Sequence, residues 1–445
     1  MEEILELINA APFDMCKFHE LVQHVNEVDI AEILSELNKE KLVQVFRLLP
    51  KDMAGEVFAN IGPDEQHIIV EALTDSEVGE VVNLLFVDDA VDFIEEMPAN
   101  VVNRVLKNVS PQKRKHINQI LRYPDDSAGS IMTTEYIDLK ETMTVRDALD
   151  YIRKNGTNKE TIYTSYVVKP GRILAGIVSA KALMLAEPDE RIEKIIDIDI
   201  LSVNTNTDQE SVAAIFQKYD LLSIPVVDND SRLVGIITVD DILEIIEDEN
   251  TEDFQKMAAM QPSDDPYLKT GIITLAKNRI VWLLVLMLSA AFTGGIIASF
   301  ENGLAVLPIL VAFIPMLMDT GGNAGSQSAT LIIRGMAVGE IEIKDIFIVL
   351  WKEIRIGFIC GIILGAVNFA RVYFMYGKNL MLTLTVSASL FTTIIMAKMA
   401  GCMLPILAKK IKVDPAIMAS PLITTIVDAA SLTIYFSIAR LLFKL

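Results

Sequence analysis

The chain has 445 residues and a formal net charge of −21, unevenly spread: residues 1–270 carry 52 Asp and Glu against 25 Lys and Arg, whereas residues 271–445 carry 8 against 14. An acidic soluble body is therefore joined to an apolar, mildly basic one. Cys16, Cys360 and Cys402 lie far apart with no CxxC pair, and no Walker loop or nucleophile elbow occurs, which argues against disulfides, zinc, redox work and enzymatic catalysis.

The N-terminus, MEEILELINAAPFD, is acidic and has no basic segment ahead of an apolar run, so no cleaved signal peptide is expected and this body is expected in the cytosol. Residues 1–124 read as helix after helix, with apolar residues three and four apart and breaks such as LLPKD, NIGPDE and EEMPAN. Helical pairs with Pro at the breaks predict an α-superhelix. His19, His24, His67 and His116 all fall in the acidic part, where scattered surface positions account for them.

From Tyr123 to about Glu249 the pattern changes to alternating strands and helices, twice over. SYVVKPGRILAGIVSAKALM, from Ser165, aligns with SIPVVDNDSRLVGIITVDDILE, from Ser223; Gly176 matches Gly235 and Ser179 matches Thr238 at an offset of 59, while the preceding helices, from Val145 and Val212, are offset by 67. The first copy thus holds eight extra residues near KNGTNKETIYT. Two strand, helix, strand, strand, helix units resemble a CBS-domain pair, which implies a regulatory module, often for an adenine nucleotide such as ATP. The Gly, Ser/Thr and Asp pattern that often marks the ribose contact is complete in the second copy, ending at Asp241; Ala182 stands at that place in the first. Next comes DDILEIIEDENTEDFQKM, a predicted helix in which Glu249, Glu252 and Asp253 share one face at i, i+3 and i+4. A solvated acidic face is the ordinary explanation of such a run.

Long apolar segments follow at Ile280–Phe300, Leu304–Met318, Ile346–Ala370, Leu380–Leu407 and Pro415–Phe443. About 20 apolar residues cross the hydrocarbon core, so four suffice alone, and the second is expected to continue through the small residues after Met318. Five spans with a cytosolic N-terminus put the C-terminus outside. Lys277, Arg279, Arg334, Lys344, Lys352, Arg355, Lys409, Lys410 and Lys412 would then face the cytosol, against Arg371, Lys378, Arg440 and Lys444 outside, in keeping with the positive-inside rule. The second segment runs into FIPMLMDTGGNAGSQSATLIIRG, where Gly, Ser, Asn and Gln replace the Leu and Val of a lipid-facing helix. A tight helix contact and a pore lining with Asp319, Asn323, Ser326 and Gln327 are both open.

Asp428, in PLITTIVDAASLTIYF, is an acid in the middle of an apolar run. A charge at that depth costs about 3 kcal/mol on insertion scales, so it has either a partner or a purpose. Lys398, in IIMAKMAG, is the obvious candidate for a salt bridge; a cation pathway is the other reading, since hard divalent ions prefer oxygen ligands. Asp414, next to Pro415, has the form of an ordinary helix start and lies at a membrane entry.

GGNAGSQSATLIIRG, from Gly321, and DPAIMASPLITTIVDAAS, from Asp414, together with the order of parts, resemble the MgtE family of magnesium channels over essentially the whole chain. The resemblance implies a multidomain protein: an α-superhelical N domain (1–124), an α/β CBS-domain pair (125–249), a connecting plug helix (250–272) and an all-α five-span transmembrane domain (273–445). It implies a homodimer in the plasma membrane (the inner membrane of a bacterial cell), with a Mg²⁺-selective pore lined by Asp428 and closed by Mg²⁺ bound among the cytosolic domains. The sensing acids it implies are Glu56, Asp88 (with Asp89 as the alternative) and Asp92, then Asp208, Glu210, Asp220 and Asp241, then Glu249, Glu252, Asp253 and Asp414. No nucleic-acid partner is expected. The residues leave open Mg²⁺, Mn²⁺, Co²⁺ and Ca²⁺ as the ion, and two rival classes: a Mg²⁺ or nucleotide receptor without flux, in which Asp428 and Lys398 form a structural pair, and a coupled divalent-cation transporter.

Overall fold

The computed structural model describes residues 2–9, 13–263, 267, 268, 270–300, 307–418 and 420–443. Lys444 and the start of the second apolar segment, residues 304–306, lie outside the described residues. The chain divides into two compact units, Met1–Ile245 and Ile246–Leu445.

The first unit opens with ten short helices, α1 (Glu2–Asn9) to α10 (Pro111–Ile120). Each is eight to ten residues long, too short to persist alone, so their stability comes from caps and from packing. Asn26 accepts from the Val28 amide and Asn38 from the Lys41 amide, Thr74 and Glu77 form a reciprocal capping box, and Pro63 and Pro111 occupy first-turn positions. Alternate helices then pack, α3 (Glu27–Ser35) on α5 (Lys51–Ala59) and α5 on α7 (Asp75–Leu84), which is the superhelical stacking that the sequence predicts. The chain of rings Phe46, Phe58 and Phe93, with centroids 5.9 and 5.1 Å apart, runs through its core.

Two three-stranded sheets follow. The first has β1 (Asp138–Leu139), β2 (Thr164–Lys169) and β3 (Ile173–Ser179); the second has β4 (Val203–Asn204), β5 (Ser223–Val227) and β6 (Leu233–Thr238). In each the first pair is parallel and the second antiparallel. Val167 faces Gly176 and Val226 faces Gly235, with a bulge immediately after Val167 and after Val226, so the repeat seen in sequence is a repeat of register. Gly235 is needed for packing: a Cβ there would lie 2.7 Å from the Thr133 carbonyl oxygen. The helices are α11 (Val145–Asn155), α12 (Ala180–Leu185), α13 (Ile192–Ile195), α14 (Gln209–Tyr219) and α15 (Val239–Met257). Helix α15 grows directly out of β6 and ends at Met257, so Glu249, Glu252 and Asp253 lie on the continuation of the last CBS helix and not on a helix of their own. Beyond its end the Gln255 side chain binds both the amide and the carbonyl of Ser263, each at 2.8 Å.

In the second unit, five long helices follow: α16 (Ile272–Ser299), α17 (Ile314–Ala337), α18 (Ile346–Met375), α19 (Leu380–Lys410) and α20 (Ser420–Phe443). Among the described residues three stretches, Ile272–Ser299, Leu380–Lys410 and Pro415–Phe443, are long and apolar enough to cross a membrane. Helix α17 packs on both α19 and α20, α18 packs on α19, and α16 packs on α20. Small residues set these approaches: Gly357, Gly361 and Gly365 of α18 lie against Ile395, Phe391 and Ser387 of α19, one helical turn apart. The closest approach is between Gly401 of α19 and Gly325 of α17, where any side chain on Gly401 would collide with the Gly325 carbonyl.

Candidate ion path and cation-sensing sites

The glycines of α17 define which way its polar residues face. Gly321 and Gly325 pack against Val427 of α20, and Gly325 also meets Ile423. That leaves Asp319, Asn323 and Gln327, at i, i+4 and i+8, exposed on another side of the helix, with Ser326 half-buried beside them. Asp428, half-buried on α20, lies within Coulombic reach of Asp319. A stripe of amide and carboxyl groups cannot face hydrocarbon, because the groups would be left without hydrogen-bond partners. It belongs against water or against more protein.

The expected partner of Asp428 is otherwise engaged. Lys398 lies in a buried polar cluster with Glu353 of α18, which sequence reading overlooked, and Ser328 of α17; Glu353 is 7% exposed and Lys398 6%. The Lys398 ammonium lies 3.9 Å from Glu353 Oε2 and donates to Ser328 Oγ at 3.2 Å and to the Ala324 carbonyl at 3.5 Å. The Ser328 hydroxyl donates to Glu353 Oε2 at 2.6 Å. Of the two readings left open for Asp428, the salt bridge with Lys398 is not formed: among the described residues the acid partner of Lys398 is Glu353. The rule that singled out Asp428, a lone acid in an apolar segment, applies equally to Glu353, but Lys352 and Arg355 on either side give its surroundings an interfacial look.

At the end of α15, Lys256 Nζ sits between two carboxylates, 2.6 Å from Glu252 Oε1 and 2.7 Å from Asp414 Oδ2. The other Asp414 oxygen accepts from the Ala416 amide at 2.8 Å, the helix-start role expected of it. Burial raises the Asp253 carboxyl above its usual range, and the Asp414 charge raises it further. Burial alone would lower the Lys256 pKa, but its bonds to Asp414 and Glu252 outweigh this and hold it above the ordinary value. Glu252, Asp253 and Asp414 are thus gathered around one ammonium. Sequence reading missed Lys256 because a Glu and Lys four apart read as a routine surface pair.

The first unit carries a larger acidic cluster with less compensation. Asp88 is 7% exposed, and among the described residues its Oδ1 has no hydrogen-bond partner; neither has Glu160 Oε2. Burial, then the charges of Asp241 and Glu160, push the Asp88 carboxyl well above its usual range. Asp92, exposed at the edge of the cluster, is raised to about 8 by desolvation from the surrounding protein and by Asp89, Asp241 and Glu244. Glu160 is raised to about 8 by burial and by Asp241, Asp89 and Asp240. Asp241 rises only to about 6, because Thr238 donates to it at 2.6 Å and offsets part of the effect of burial. Lys113 is the cation facing Asp88, Asp89 and Glu135, and burial lowers its own pKa. Glu135 caps α8 (Val87–Glu95) by accepting from the Val87 amide at 2.9 Å. Of the expected acids, Asp88, Asp92 and Asp241 come together here, and Asp89, Asp240 and Glu160 join them. Glu56 lies at the margin, raised by burial and by Asp89 and Glu27.

Asp208, Glu210 and Asp220 do not converge within the chain. Asp208 caps α14, accepting from Glu210 and Ser211 amides at 3.1 and 3.4 Å, whereas Asp220 closes the opposite end of that helix in the left-handed conformation at φ 51°. Eleven residues separate the ends, roughly 16 Å at 1.5 Å per residue. Among the described residues, no group of three or more His, Cys, Asp or Glu is set closely enough to ligate a metal ion directly.

Comparison with known proteins bears on all three regions. Residues 314–438 match the family model MgtE, divalent cation transporter; 25–126 match the MgtE intracellular N domain; and 128–189 and 192–248 match CBS domains. Magnesium transporter MgtE of Thermus thermophilus is 36% identical over 434 residues, covering 97% of this chain and 96% of that protein. Magnesium transporter MgtE of Bacillus subtilis is 36% identical over 329 residues, 73% of this chain and 71% of that protein. Among solved structures, the cytosolic domain of the Mg²⁺ channel MgtE in complex with ATP matches with a TM-score of 0.50 and 35% identity, over 52% of this chain and 95% of that one. The soluble part of a magnesium transporter matches with a TM-score of 0.53 and 29% identity, over 56% and 97%. With the helical, CBS and C-terminal parts each matched in the same order, and a relative more than one-third identical end to end, the chain belongs to the MgtE family.

Proposed function

We propose that this chain is a Mg²⁺-selective channel for magnesium uptake, working as a homodimer in the plasma membrane and closed by Mg²⁺ on its cytosolic side. The observation that carries this reading is the polar stripe Asp319, Asn323 and Gln327, exposed on α17 with Asp428 in Coulombic reach. A second copy facing that stripe would enclose a path lined by oxygen atoms. Mg²⁺ dehydrates reluctantly, so a few carboxylate and amide oxygens addressing a hydrated ion suit it better than a closed cage. The five helices α16–α20 would be the spans, with the acidic unit inside and the C-terminus outside. Mn²⁺ and Co²⁺ present similar chemistry. The engagement of Lys398 with Glu353 weighs against the receptor without flux, whose Asp428 would be a structural partner of Lys398.

Closure would rest on the uncompensated acids. Orphaned buried oxygens on Asp88 and Glu160 fit a dissolved cation that keeps its waters. At low Mg²⁺ the cluster around Asp88, Asp92 and Asp241 holds protons and repels itself as it ionises; at high Mg²⁺ hydrated ions replace the protons and neutralise it. Asp208, Glu210 and Asp220, at the two ends of α14, would contribute to ion sites completed by the second copy. Glu249, Glu252, Asp253 and Asp414 would form the site nearest the pore, with Lys256 holding the place of an ion when Mg²⁺ is scarce. Moving a two-state equilibrium from 1:99 to 99:1 takes about 5.5 kcal/mol of differential binding, which several weak sites supply together. The intact Thr238 and Asp241 pair supports ATP binding in the second CBS copy, whereas Ala182 removes the acid from the first; a related cytosolic domain was solved in complex with ATP.

The test is Mg²⁺ uptake into proteoliposomes by wild type and Asp428→Asn, both verified as folded. Uptake that the substitution abolishes is the expected result; a wild type that carries no Mg²⁺ at any cytosolic Mg²⁺ concentration overturns the reading.

A further inference from the structure

We infer that Glu353, Lys398 and Ser328 form a positioning device that fixes the rotation of α17 and so decides which of its side chains line the ion path. Two charges buried among helices forfeit their solvation, and replacing such a pair by apolar residues of equal volume is often neutral or stabilising. A pair that is nonetheless present is better explained by the one arrangement it permits than by the stability it adds.

That arrangement is specific to α17. The glycine face, with Gly321, Gly322 and Gly325, is smooth and offers no side chain to resist rotation or sliding against α19 and α20. What resists it is polar: Ser328 Oγ donates to Glu353 Oε2 at 2.6 Å, and Lys398 donates to Ser328 Oγ at 3.2 Å and to the Ala324 carbonyl at 3.5 Å. Ala324 and Ser328 each follow a stripe residue, Asn323 and Gln327, by one position, which is about 100° round the helix. The device therefore grips α17 beside the stripe, at the same level along the helix. Rotating α17 by one residue would bury Asn323 and Gln327 and leave Glu353 and Lys398 holding each other across 3.9 Å with no hydroxyl between them. The three residues come from three helices, α17, α18 and α19, so the device also sets the pore helix against the two that hold it. Its effect reaches the path through Asn323 and Gln327, and its bearing on transport rests on the function proposed above.

The experiment reads helix rotation directly. In a full-length chain with Cys16, Cys360 and Cys402 replaced by Ser, single Asn323→Cys, Gln327→Cys, Ala324→Cys and Ala329→Cys substitutions are exposed to a membrane-impermeant thiol reagent in proteoliposomes. With the device intact, labelling is expected at 323 and 327 and not at 324 or 329. Ser328→Ala removes the tie and keeps both charges; its expected effect is labelling that spreads to 324 and 329 by about tenfold, the worth of a hydrogen bond to a charged group. Mg²⁺ uptake per folded protein, and its ratio to Ca²⁺ uptake, should fall with it. Glu353→Gln/Lys398→Met, which removes both charges at similar volume, should retain thermal stability and still show the spread labelling, an outcome that a purely structural pair would not give. Unchanged labelling in both the Ser328→Ala and the double variant overturns the inference. A wild type that carries no Mg²⁺ overturns the function proposed above instead, while the labelling still decides the rotation.

Discussion

The two units handle buried charge in opposite ways. In the helical C-terminal unit, buried and half-buried acids are held by cations of the chain's own: Glu353 has Lys398, and Glu252 and Asp414 share Lys256. In the N-terminal unit, Asp88, Asp89, Asp92, Glu160 and Asp241 crowd together with Lys113 as the facing cation, and oxygens on Asp88 and Glu160 are left without partners. The physical difference is supply. A membrane interior has no dissolved counter-ions, so neutrality must be covalent; a water-bathed cluster can be left open for an ion to complete. Asp428 is the exception, and under the function proposed above it is the transported cation that completes it.

The contrast predicts opposite signs for similar substitutions. The largest effect is expected from Glu353→Gln or Lys398→Met alone, which strands one buried charge and should destabilise the protein by about 3–5 kcal/mol, read as a lowered Tm or loss of folded yield. Asp92→Asn in the acidic cluster should instead stabilise the metal-free protein at neutral pH, read as a raised Tm, because it removes a carboxyl crowded by Asp89, Asp241 and Glu244, and should shrink the Tm gain from added Mg²⁺. If both substitutions destabilise alike, the contrast fails.

Acidity sharpens the same point. Asp92 and Glu160, both raised to about 8, hold protons in the folded state that the unfolded chain releases near pH 4. The folded state therefore binds more protons across that interval, and its stability falls as pH rises from about 4 to about 8. Without Mg²⁺, Tm should decline between pH 5 and 8; with millimolar Mg²⁺ the decline should flatten, because bound cations replace the protons. The smallest effect is expected from Lys256→Met. It removes a partly exposed ion pair of at most about 1 kcal/mol, so the Mg²⁺ midpoint for protease protection of the segment after α15 should fall by up to about fivefold as Mg²⁺ loses its tethered competitor. A midpoint that rises would mean that Lys256 and Mg²⁺ cooperate.

Much of this organisation was legible in the residues. The 59-residue offset carried the strand register of both sheets, and Pro and Asn at the breaks marked the ends of the short helices, because these are local rules. The facing of Asn323 and Gln327 followed from helical spacing once the glycines were seen to pack inward. What could not be read was convergence at long range. Asp88, Glu160 and Asp241 are brought together by the fold of a whole unit, and the choice of Lys398 between Glu353 and Asp428 depends on which face of α19 meets α18. Asp208, Glu210 and Asp220 taught the converse: near in sequence, they are divided by one helix, with Asp208 and Glu210 at its start and Asp220 at its end.

The measurement that tests the contrast most directly is hydrogen exchange on the intact protein in lipid nanodiscs, titrated with Mg²⁺ and read separately at α8 with the start of α15 and at the segments of α17 and α19 around Ser328 and Lys398. The account predicts protection that rises at α8 and α15 as Mg²⁺ reaches millimolar concentration, with protection around Ser328 and Lys398 already high and unchanged. Exchange at α8 and α15 that ignores Mg²⁺, or protection that rises equally at both places, would contradict it.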